Sequence, residues 1–279
     1  MKNTILPMTC LAAALTASAT AATVFSNNFE DGNLTPETGT WTFGADSAAT
    51  SVVAVSGGSD ATLGSNVALV DRDSAQTNPL DLTLNLTNAV TLTSGNTVSL
   101  DFDIAARRTN GNSKTIFVDA LDSSNTIVAR FVLGDANAFG NGGGDRQRPG
   151  YDPSSAGDAN TGNSILPGPG TPGNYWWGAD TSPADFASNL DAHVSLTYSD
   201  SSFDLSTTSK SGTVYSTTAL SNYDSGTYSD IATIRLTSIG TNYGVYLDNI
   251  VVEGTVVPEP SSAALLGLGG LALILRRRK

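Results

Sequence analysis

Residues 98–104 read Val98-Ser99-Leu100-Asp101-Phe102-Asp103-Ile104, the strictest alternation of apolar and polar side chains in the chain. Successive side chains of a β-strand point to opposite faces, so the four apolar residues would share one face and the polar residues the other. A helix groups residues three and four apart and would mix the two sets. The run therefore predicts a strand with one face on a hydrophobic core.

The same two-residue period recurs along most of the chain, with turn-forming residues between the segments. Residues 115–121 and 126–133 form a predicted hairpin around Asp122-Ser123-Ser124-Asn125. The other predicted strands cover residues 23–30, 40–43, 51–55, 66–70, 82–86, 193–198, 202–207, 213–218, 231–239 and 243–253. About a dozen strands without helices between them predict an all-β fold, a two-sheet antiparallel sandwich of the jelly-roll type.

The composition favours strands and turns, and the charge limits the kinds of partner. The chain has 279 residues, of which 14% are charged and 28 are glycines. Without Lys2, Glu259 and the four C-terminal cations, 9 basic and 25 acidic residues remain, a net charge of −16. Nucleic-acid binding needs a basic surface, so no nucleic-acid partner is expected. An acidic exported domain stays soluble by self-repulsion or binds divalent cations.

Residues 1–22 have the pattern of a secretory signal peptide. Lys2 gives a positive start, an apolar stretch covers residues 5–15, and alanines with Ala-x-Ala spacing follow. This pattern predicts cleavage after Ala19, Ala21 or Ala22. The single cysteine, Cys10, lies inside the segment. The exported chain is therefore expected to lack disulfides, cysteine nucleophiles and thiolate metal ligands.

The C-terminal segment, residues 255–279, combines three elements in order. Pro258-Glu259-Pro260 ends the preceding domain, because proline fixes φ and lacks an N–H. Residues 261–275 are uncharged and apolar, and the cations Arg276, Arg277, Arg278 and Lys279 follow. A helix over the apolar run would be roughly 22 Å long, shorter than the about 30 Å of a bilayer core. On length alone a buried core helix also fits, but the basic end favours a short transmembrane helix with its cations at the cytoplasmic headgroups.

This order of elements resembles the PEP-CTERM protein-sorting signal of Gram-negative bacteria, with Pro258, Glu259 and Pro260 as the motif. The resemblance implies export through the inner membrane and recognition by an exosortase, a membrane-embedded transpeptidase. The chain would be anchored in the membrane transiently or permanently and would then reach the cell surface or the extracellular space. The resemblance says nothing about what the exported domain, residues 23–254, does.

The two ends of that domain resemble concanavalin-like and carbohydrate-binding-module jelly rolls. Phe29-Glu30-Asp31-Gly32 is similar to their opening, and residues 246–252 are similar to their closing strand. The resemblance implies that the first and last strands are neighbours and that they hold a structural Ca²⁺, with Glu30 and Asp248 at the matching positions. Ca²⁺ prefers such oxygen ligands. Alternatively, Asp248 and Asn249 simply form a bulge or a turn.

Residues 134–190 form an insertion in the strand pattern, rich in Gly, Asp, Asn, Pro and Ser. Loops of this length are usually functional or disordered. The insertion holds four aromatic residues with polar neighbours: Tyr151, Tyr175, Trp176 and Trp177. Two interpretations remain open. The rings stack on sugars as a glycan-binding surface, or the tryptophans fold back and plug one end of the sandwich.

Catalytic groups are sparse, and we predict no catalytic residue. The glutamates are too scattered for the carboxylate pair of a sandwich glycosidase. Asp101 and Asp103 are most simply the solvated side of their strand, and His193, the only histidine, has no Ser or Cys motif beside it.

The sequence therefore predicts a non-catalytic cell-surface or extracellular-matrix protein that associates with extracellular polysaccharide. The alternative is a polysaccharide-active glycoside hydrolase or lyase with a β-sandwich fold. Its catalytic carboxyls would face each other across a groove at a separation of roughly 5 to 9.5 Å.

Overall fold

The computed structural model describes residues 21–43, 51–54, 66–72, 81–108, 115–134, 148–152, 163–164, 191–209, 214–239 and 243–255. All of them belong to one compact unit, Ala21–Val256. Nearly all of the predicted signal peptide, and the predicted membrane helix over residues 261–275, lie outside these ranges. Inside them, no helix combines the length and the apolar character that a membrane crossing requires.

Fifteen strands lie in the described ranges, and every pairing between them is antiparallel. Short 3-10 turns occur at Thr93–Gly95 and Tyr223–Ser225. The strands are β1 (Ala21–Asn27), β2 (Thr40–Phe43), β3 (Ser51–Ala54), β4 (Asn66–Arg72), β5 (Asp81–Thr91), β6 (Val98–Arg108), β7 (Thr115–Leu121), β8 (Ile127–Gly134), β9 (Arg148–Tyr151), β10 (Asn163–Ser164), β11 (Asp191–Tyr198), β12 (Ser202–Ser209), β13 (Val214–Ser221), β14 (Asp230–Ile239) and β15 (Tyr243–Thr255).

The strands form two sheets, as the alternating pattern predicts. Sheet A has eight strands in the order β13-β12-β11-β6-β15-β4-β3, with β1 also beside β15. Sheet B has seven strands in the order β10-β9-β8-β7-β14-β5-β2. The all-β, two-sheet prediction is confirmed, and so is the prediction that the first strand is a neighbour of the last.

The core lies between the two sheets and is built from the inward residues of the alternating strands. Leu100 and Ile104 of β6 are buried, and so are the inward-facing apolar residues on the strands of sheet B. Phe102 meets Phe131 of β8 across the interior, with ring centroids 6.0 Å apart. Burial of each such side chain stabilises the fold by about 1.5–3 kcal/mol, so the alternation accounts for much of the cohesion between the sheets.

The opening motif of the domain also packs inward. Trp41 of β2 stands edge-on to Phe25 at 5.1 Å and lies 5.7 Å from Phe29, centroid to centroid. Phe29 is buried although its φ is +57°, in the left-handed region. Its backbone N–H donates to Asn27 Oδ1 at 2.9 Å, which stabilises this turn at the end of β1.

The insertion at residues 134–190 contains two strands that the sequence pattern does not predict. Strand β9 extends sheet B beyond β8, pairing Tyr151 with Phe131, and β10 pairs with β9. The sequence of β9 is Arg-Pro-Gly-Tyr. Proline and glycine are depleted in strands, and only positions near a sheet edge tolerate them, so this segment carries no strand signal.

The last strand lies in the interior of sheet A. β15 pairs with β6 along most of its length, and on its other side it pairs with β4 and then with β1. The pairing reaches Thr255, which faces Ala21 of β1. Strand pairing among the described residues therefore ends three residues before the Pro258-Glu259-Pro260 motif begins.

Ending the exported chain after Thr255 should leave the free energy of unfolding unchanged, because strand pairing ends there. Ending it after Val252 should cost about 2 kcal/mol or more, since residues 253–255 pair with residues 21–23 of β1 and with 98–99 of β6. Urea denaturation of both truncated chains beside the longer chain measures the difference. Equal stability of the two truncated chains would contradict this role of the strand end.

Candidate functional site

A row of polar side chains crosses the outer face of sheet A. Asp103 of β6 is paired with His193 of β11 on one side and with Asp248 of β15 on the other. Directly paired residues of antiparallel strands project on the same face, so the three side chains adjoin. With Asp101 and Asn249 they form what we call the histidine–aspartate cluster.

The cluster is joined by hydrogen bonds around Asp103. His193 Nδ1 lies 2.9 Å from Asp103 Oδ1, and Asn249 Nδ2 donates to Asp103 Oδ2 at 2.7 Å. On the other side of the imidazole ring, His193 Nε2 lies 3.7 Å from Asp101 Oδ1. The histidine is therefore held between two carboxylates, and both oxygens of Asp103 are bonded.

The cluster has a buried end and an open end. Asp103 retains 4% of its accessible surface and Asp248 retains none. The side chains of His193 and Asp101 remain 41% and 33% exposed. The prediction that Asp101 and Asp103 form the solvated side of their strand is therefore wrong for Asp103. Alternation identifies the face that a side chain occupies, but not the groups that cover it.

A β-bulge shapes the buried end. The register of β15 against β6 shifts between Asp248 and Val251, and Asn249 has a φ of +47°. Its backbone N–H donates to Asp248 Oδ1 at 2.8 Å. Asparagine adopts this left-handed conformation more readily than most residues, and the bulge re-aims its side chain. Asp248 and Asn249 therefore form the bulge that the alternative interpretation of these residues describes, and this does not test calcium binding.

The two carboxylates keep His193 protonated at neutral pH. Its interaction with the Asp101 carboxylate and its hydrogen bond to Asp103 raise its pKa from 6.5 to about 9, against the opposing effect of partial burial. The same interaction with His193 lowers the pKa of Asp101. An imidazolium has two N–H donors and no free lone pair, so His193 in this state is neither a general base nor a metal ligand.

Glu30 lies at the same junction of strands as Asp248 but has a different partner. Glu30 Oε1 accepts a hydrogen bond from the backbone N–H of Asn66 at 3.3 Å, and Asn66 Nδ2 donates to the Glu30 carbonyl at 3.3 Å. Asn66 opens β4, which pairs with β15 up to Leu247. Among the described side chains, no group of three or more His, Cys, Asp or Glu residues is arranged to hold a metal ion. Calcium binding by Glu30 and Asp248 stays a prediction.

The aromatic residues of the insertion are only partly described. Tyr175, Trp176 and Trp177 lie outside the described residues. Tyr151 is half-buried on β9 and packs edge-on against Phe203, with ring centroids 6.0 Å apart. This ring supports the end of the core, and the sugar-stacking role remains a prediction.

The outer face of sheet B carries a charged network that sequence reasoning missed. Arg130 of β8 donates to both oxygens of Asp119 of β7, at 2.6 and 2.8 Å, and lies 3.7 Å from Asp152. Its guanidinium also stacks 4.5 Å from the centre of the Phe117 ring and 5.4 Å from that of Tyr223. The side chains of Arg130, Asp119 and Asp152 keep only 16%, 5% and 4% of their accessible surface, so this network offers little surface to a ligand.

The charge on His193 should make stability depend on pH. Because the folded pKa is raised, the contribution is complete below the unfolded pKa of 6.5 and is lost as pH rises through about 9. A His193→Gln variant lacks this titration, so the gap in melting temperature between the two proteins should shrink over that range. Since His193 is the only histidine, a proton NMR titration measures its pKa directly. A pKa near 6.5 and a constant gap would contradict the ion pairing.

Comparison with known proteins identifies the C-terminal segment. Residues 256–279 match the family model of the PEP-CTERM protein-sorting motif, which confirms the prediction made from Pro258, Glu259 and Pro260. The motif marks the protein as one that is exported and sorted to the cell envelope. No curated protein matches the chain in sequence.

Solved structures with a similar fold include lectins and a carbohydrate esterase. The carbohydrate esterase from the Shiga toxin-encoding bacteriophage phi24B is 13% identical with a TM-score of 0.52, and the match covers 85% of this chain and 100% of the esterase. Peanut lectin is 10% identical with a TM-score of 0.49, over 86% of this chain and 100% of the lectin. The lectin from Bauhinia forficata, solved with GalNAc, is 13% identical with a TM-score of 0.46, over 85% and 99%. Of these three, only the esterase has a TM-score above 0.5, and at 13% identity its likeness shows a shared fold and nothing about activity.

Proposed function

We propose that this protein is processed by an exosortase, is displayed on the cell surface or in the extracellular matrix, and binds extracellular polysaccharide there without catalysis. The observation that carries the proposal is the open end of the histidine–aspartate cluster. This open end is a group of polar side chains held in place by their neighbours, on a β-sandwich domain. The same chain carries a sorting motif at residues 256–279. Membrane anchorage by residues 261–275, before or instead of processing, is part of the same proposal.

The cluster offers the donors and acceptors that sugar hydroxyls need. His193 presents an imidazolium and Asp101 a carboxylate at the open end, held by the ion pair between them and by the hydrogen bond between His193 and Asp103. Half-exposed hydroxyl residues on the same face, Ser195 and Thr208, flank them. Ligand sites depend on a few fixed polar groups of this kind. The net charge of about −16 on the exported domain disfavours polyanions, so the proposed ligand is a neutral polysaccharide.

The geometry of the cluster supports the non-catalytic role. Glycosidase chemistry uses one carboxylic acid and one carboxylate that face each other across the sugar. Asp101 and Asp103 instead lie on one strand face, bridged by the cationic ring of His193. Both carboxylates are paired with His193, so neither is placed to act as a general acid or as a nucleophile. The hydrolase or lyase alternative would need a carboxylate pair other than Asp101 and Asp103.

A screen of the exported protein on an array of neutral and acidic glycans tests this proposal. His193→Gln and Asp101→Asn should each weaken binding at least about tenfold, the effect of losing roughly 1.4 kcal/mol of polar contact. Arg235→Gln, an exposed change on the other sheet, is the matched control and should bind as the wild type does. The proposal fails if no glycan binds, if the cluster variants bind normally, or if bound polysaccharide is shortened.

Calcium binding by Glu30 and Asp248 is a separate proposal, supported by their shared position at the junction of β1, β4 and β15. Saturating Ca²⁺ should raise the melting temperature, since a ligand at 100 times its Kd stabilises by about 2.7 kcal/mol. Glu30→Gln and Asp248→Asn should each abolish the shift, whereas Asp31→Asn should retain it. If metal-free protein melts at the same temperature with and without Ca²⁺, these residues hold no calcium.

A further inference from the structure

The sequence contains two Asn-x-Thr tripeptides, Asn33-Leu34-Thr35 and Asn85-Leu86-Thr87. In exported proteins this tripeptide can accept an N-linked sugar where it lies in a surface loop. Both tripeptides lie in the exported domain and among the residues that the structure describes. Because the tripeptide is short and common, its local conformation has to decide whether it is an acceptor.

The first tripeptide lies in the connection between β1 and β2, outside any strand. Asn33 and Thr35 are exposed, whereas Leu34 between them is partly buried and packs against the core. Gly32, just before them, has a φ of +78°, and a side chain built there would meet no atom of the described chain within 4 Å. Leu34 therefore holds the tripeptide to the domain, and the two side chains that define it stay at the surface with open space beside them.

The side-chain amide of Asn33 is fixed at both ends. Its Oδ1 accepts a hydrogen bond from the backbone N–H of Thr35 at 2.7 Å, which forms an Asx turn, and its Nδ2 donates to Asp31 Oδ2 at 2.5 Å. An amide nitrogen is a weak nucleophile, because its lone pair is delocalised onto the carbonyl oxygen. When the nitrogen loses a proton, negative charge develops on Oδ1. The Thr35 N–H is placed to stabilise that charge, and the Asp31 carboxylate faces the departing proton.

We propose that Asn33 is the acceptor of an N-linked sugar. The co-substrate is a saccharide activated at C1 by a phosphate leaving group, and a transferase of the cell envelope would bring the two together. Nδ2 forms a bond to C1, the bond between C1 and the phosphate oxygen breaks, and that oxygen keeps the electron pair. One proton of Nδ2 is lost to solvent, so the amide stays neutral. The modification does not depend on polysaccharide binding by the histidine–aspartate cluster.

The second tripeptide lacks these features. Asn85 lies on β5 inside sheet B, where it is paired with β14 on one side and with β2 on the other. Its Nδ2 donates to Thr42 Oγ1 at 3.0 Å, and Thr87 Oγ1 donates to the Val24 carbonyl at 3.4 Å. A strand paired on both sides cannot form the Asx turn without unfolding. The folded domain is therefore expected to carry the sugar on Asn33 and not on Asn85.

The turn that holds Asn33 is remote from the strand end that leads to the sorting motif. In the pairing of β1 with β15, Ala21 faces Thr255 and Asn27 faces Ile250. The turn follows Asn27, so the length of β1, about 20 Å, separates it from Thr255. A sugar on Asn33 therefore does not obstruct the strand end that precedes Pro258-Glu259-Pro260.

Trypsin separates the two tripeptides, because Arg72 lies between them. Mass spectrometry of the mature protein, purified from its own cells, should show the peptide that ends at Arg72 heavier than its amino-acid mass by at least one sugar. Fragmentation of that peptide should place the added mass on Asn33. The next peptide, which contains Asn85, should have its unmodified mass.

Variants of the threonines supply the second measurement. Thr35→Ala should abolish the added mass although Asn33 and the backbone N–H that binds it remain, whereas Thr35→Ser keeps the hydroxyl and should keep the sugar. Thr87→Ala makes the matched change in the second tripeptide and should leave the modification in place. The inference is overturned if every copy of the wild type has an unmodified Asn33. Sugar found on Asn85 or only on Ser or Thr side chains, or sugar that persists in Thr35→Ala, overturns it as well.

Discussion

The pairing of β15 into the middle of sheet A is the interaction on which the rest of the structure depends. One face of this strand places Leu247, Ile250 and Val252 in the core, and its two edges join β6 to β4 and β1. Strands from the start, middle and end of the chain are thereby fixed together. Such non-local pairing is costly in chain entropy. This cost is offset only when the core between the sheets closes.

The candidate site follows from an irregularity in the same strand. A regular β15 would keep its register against β6, but the bulge at Asn249 inserts one residue and turns its amide towards Asp103. Burying the Asp103 carboxylate costs free energy, which hydrogen bonds from His193 and Asn249 offset. The positive charge on His193 is thus a consequence of its position between the carboxylates of Asp101 and Asp103.

The two outer faces of the sandwich use charge differently. On sheet B, the guanidinium of Arg130 satisfies Asp119 and is itself covered by aromatic rings, so the network is closed. On sheet A, the cluster ends at a histidine and an aspartate that keep a substantial part of their surface. The difference makes sheet A the candidate binding face.

Much of the fold could be predicted from local pattern, because alternation is a property of neighbouring residues. The bounds of β2 and β7 agree with the prediction, whereas Pro149 and Gly150 left β9 without a signal. The site could be predicted far less well. Asp103 and His193 are 90 positions apart, and no local pattern indicates that β6 and β11 are neighbours. The sorting signal could be recognised because its three elements are contiguous in the sequence, and the family match confirms it.

The central claim is that strand pairing of the sandwich ends at Thr255 and that the motif after it directs processing. Intact-mass measurement of the mature protein from cells that contain an exosortase tests the claim most directly. The predicted mature chain ends beyond Thr255 and lacks residues 276–279, and a variant with Pro258, Glu259 and Pro260 all changed to alanine keeps the entire tail. An end before Thr255, or the same end in the wild type and the variant, would contradict it.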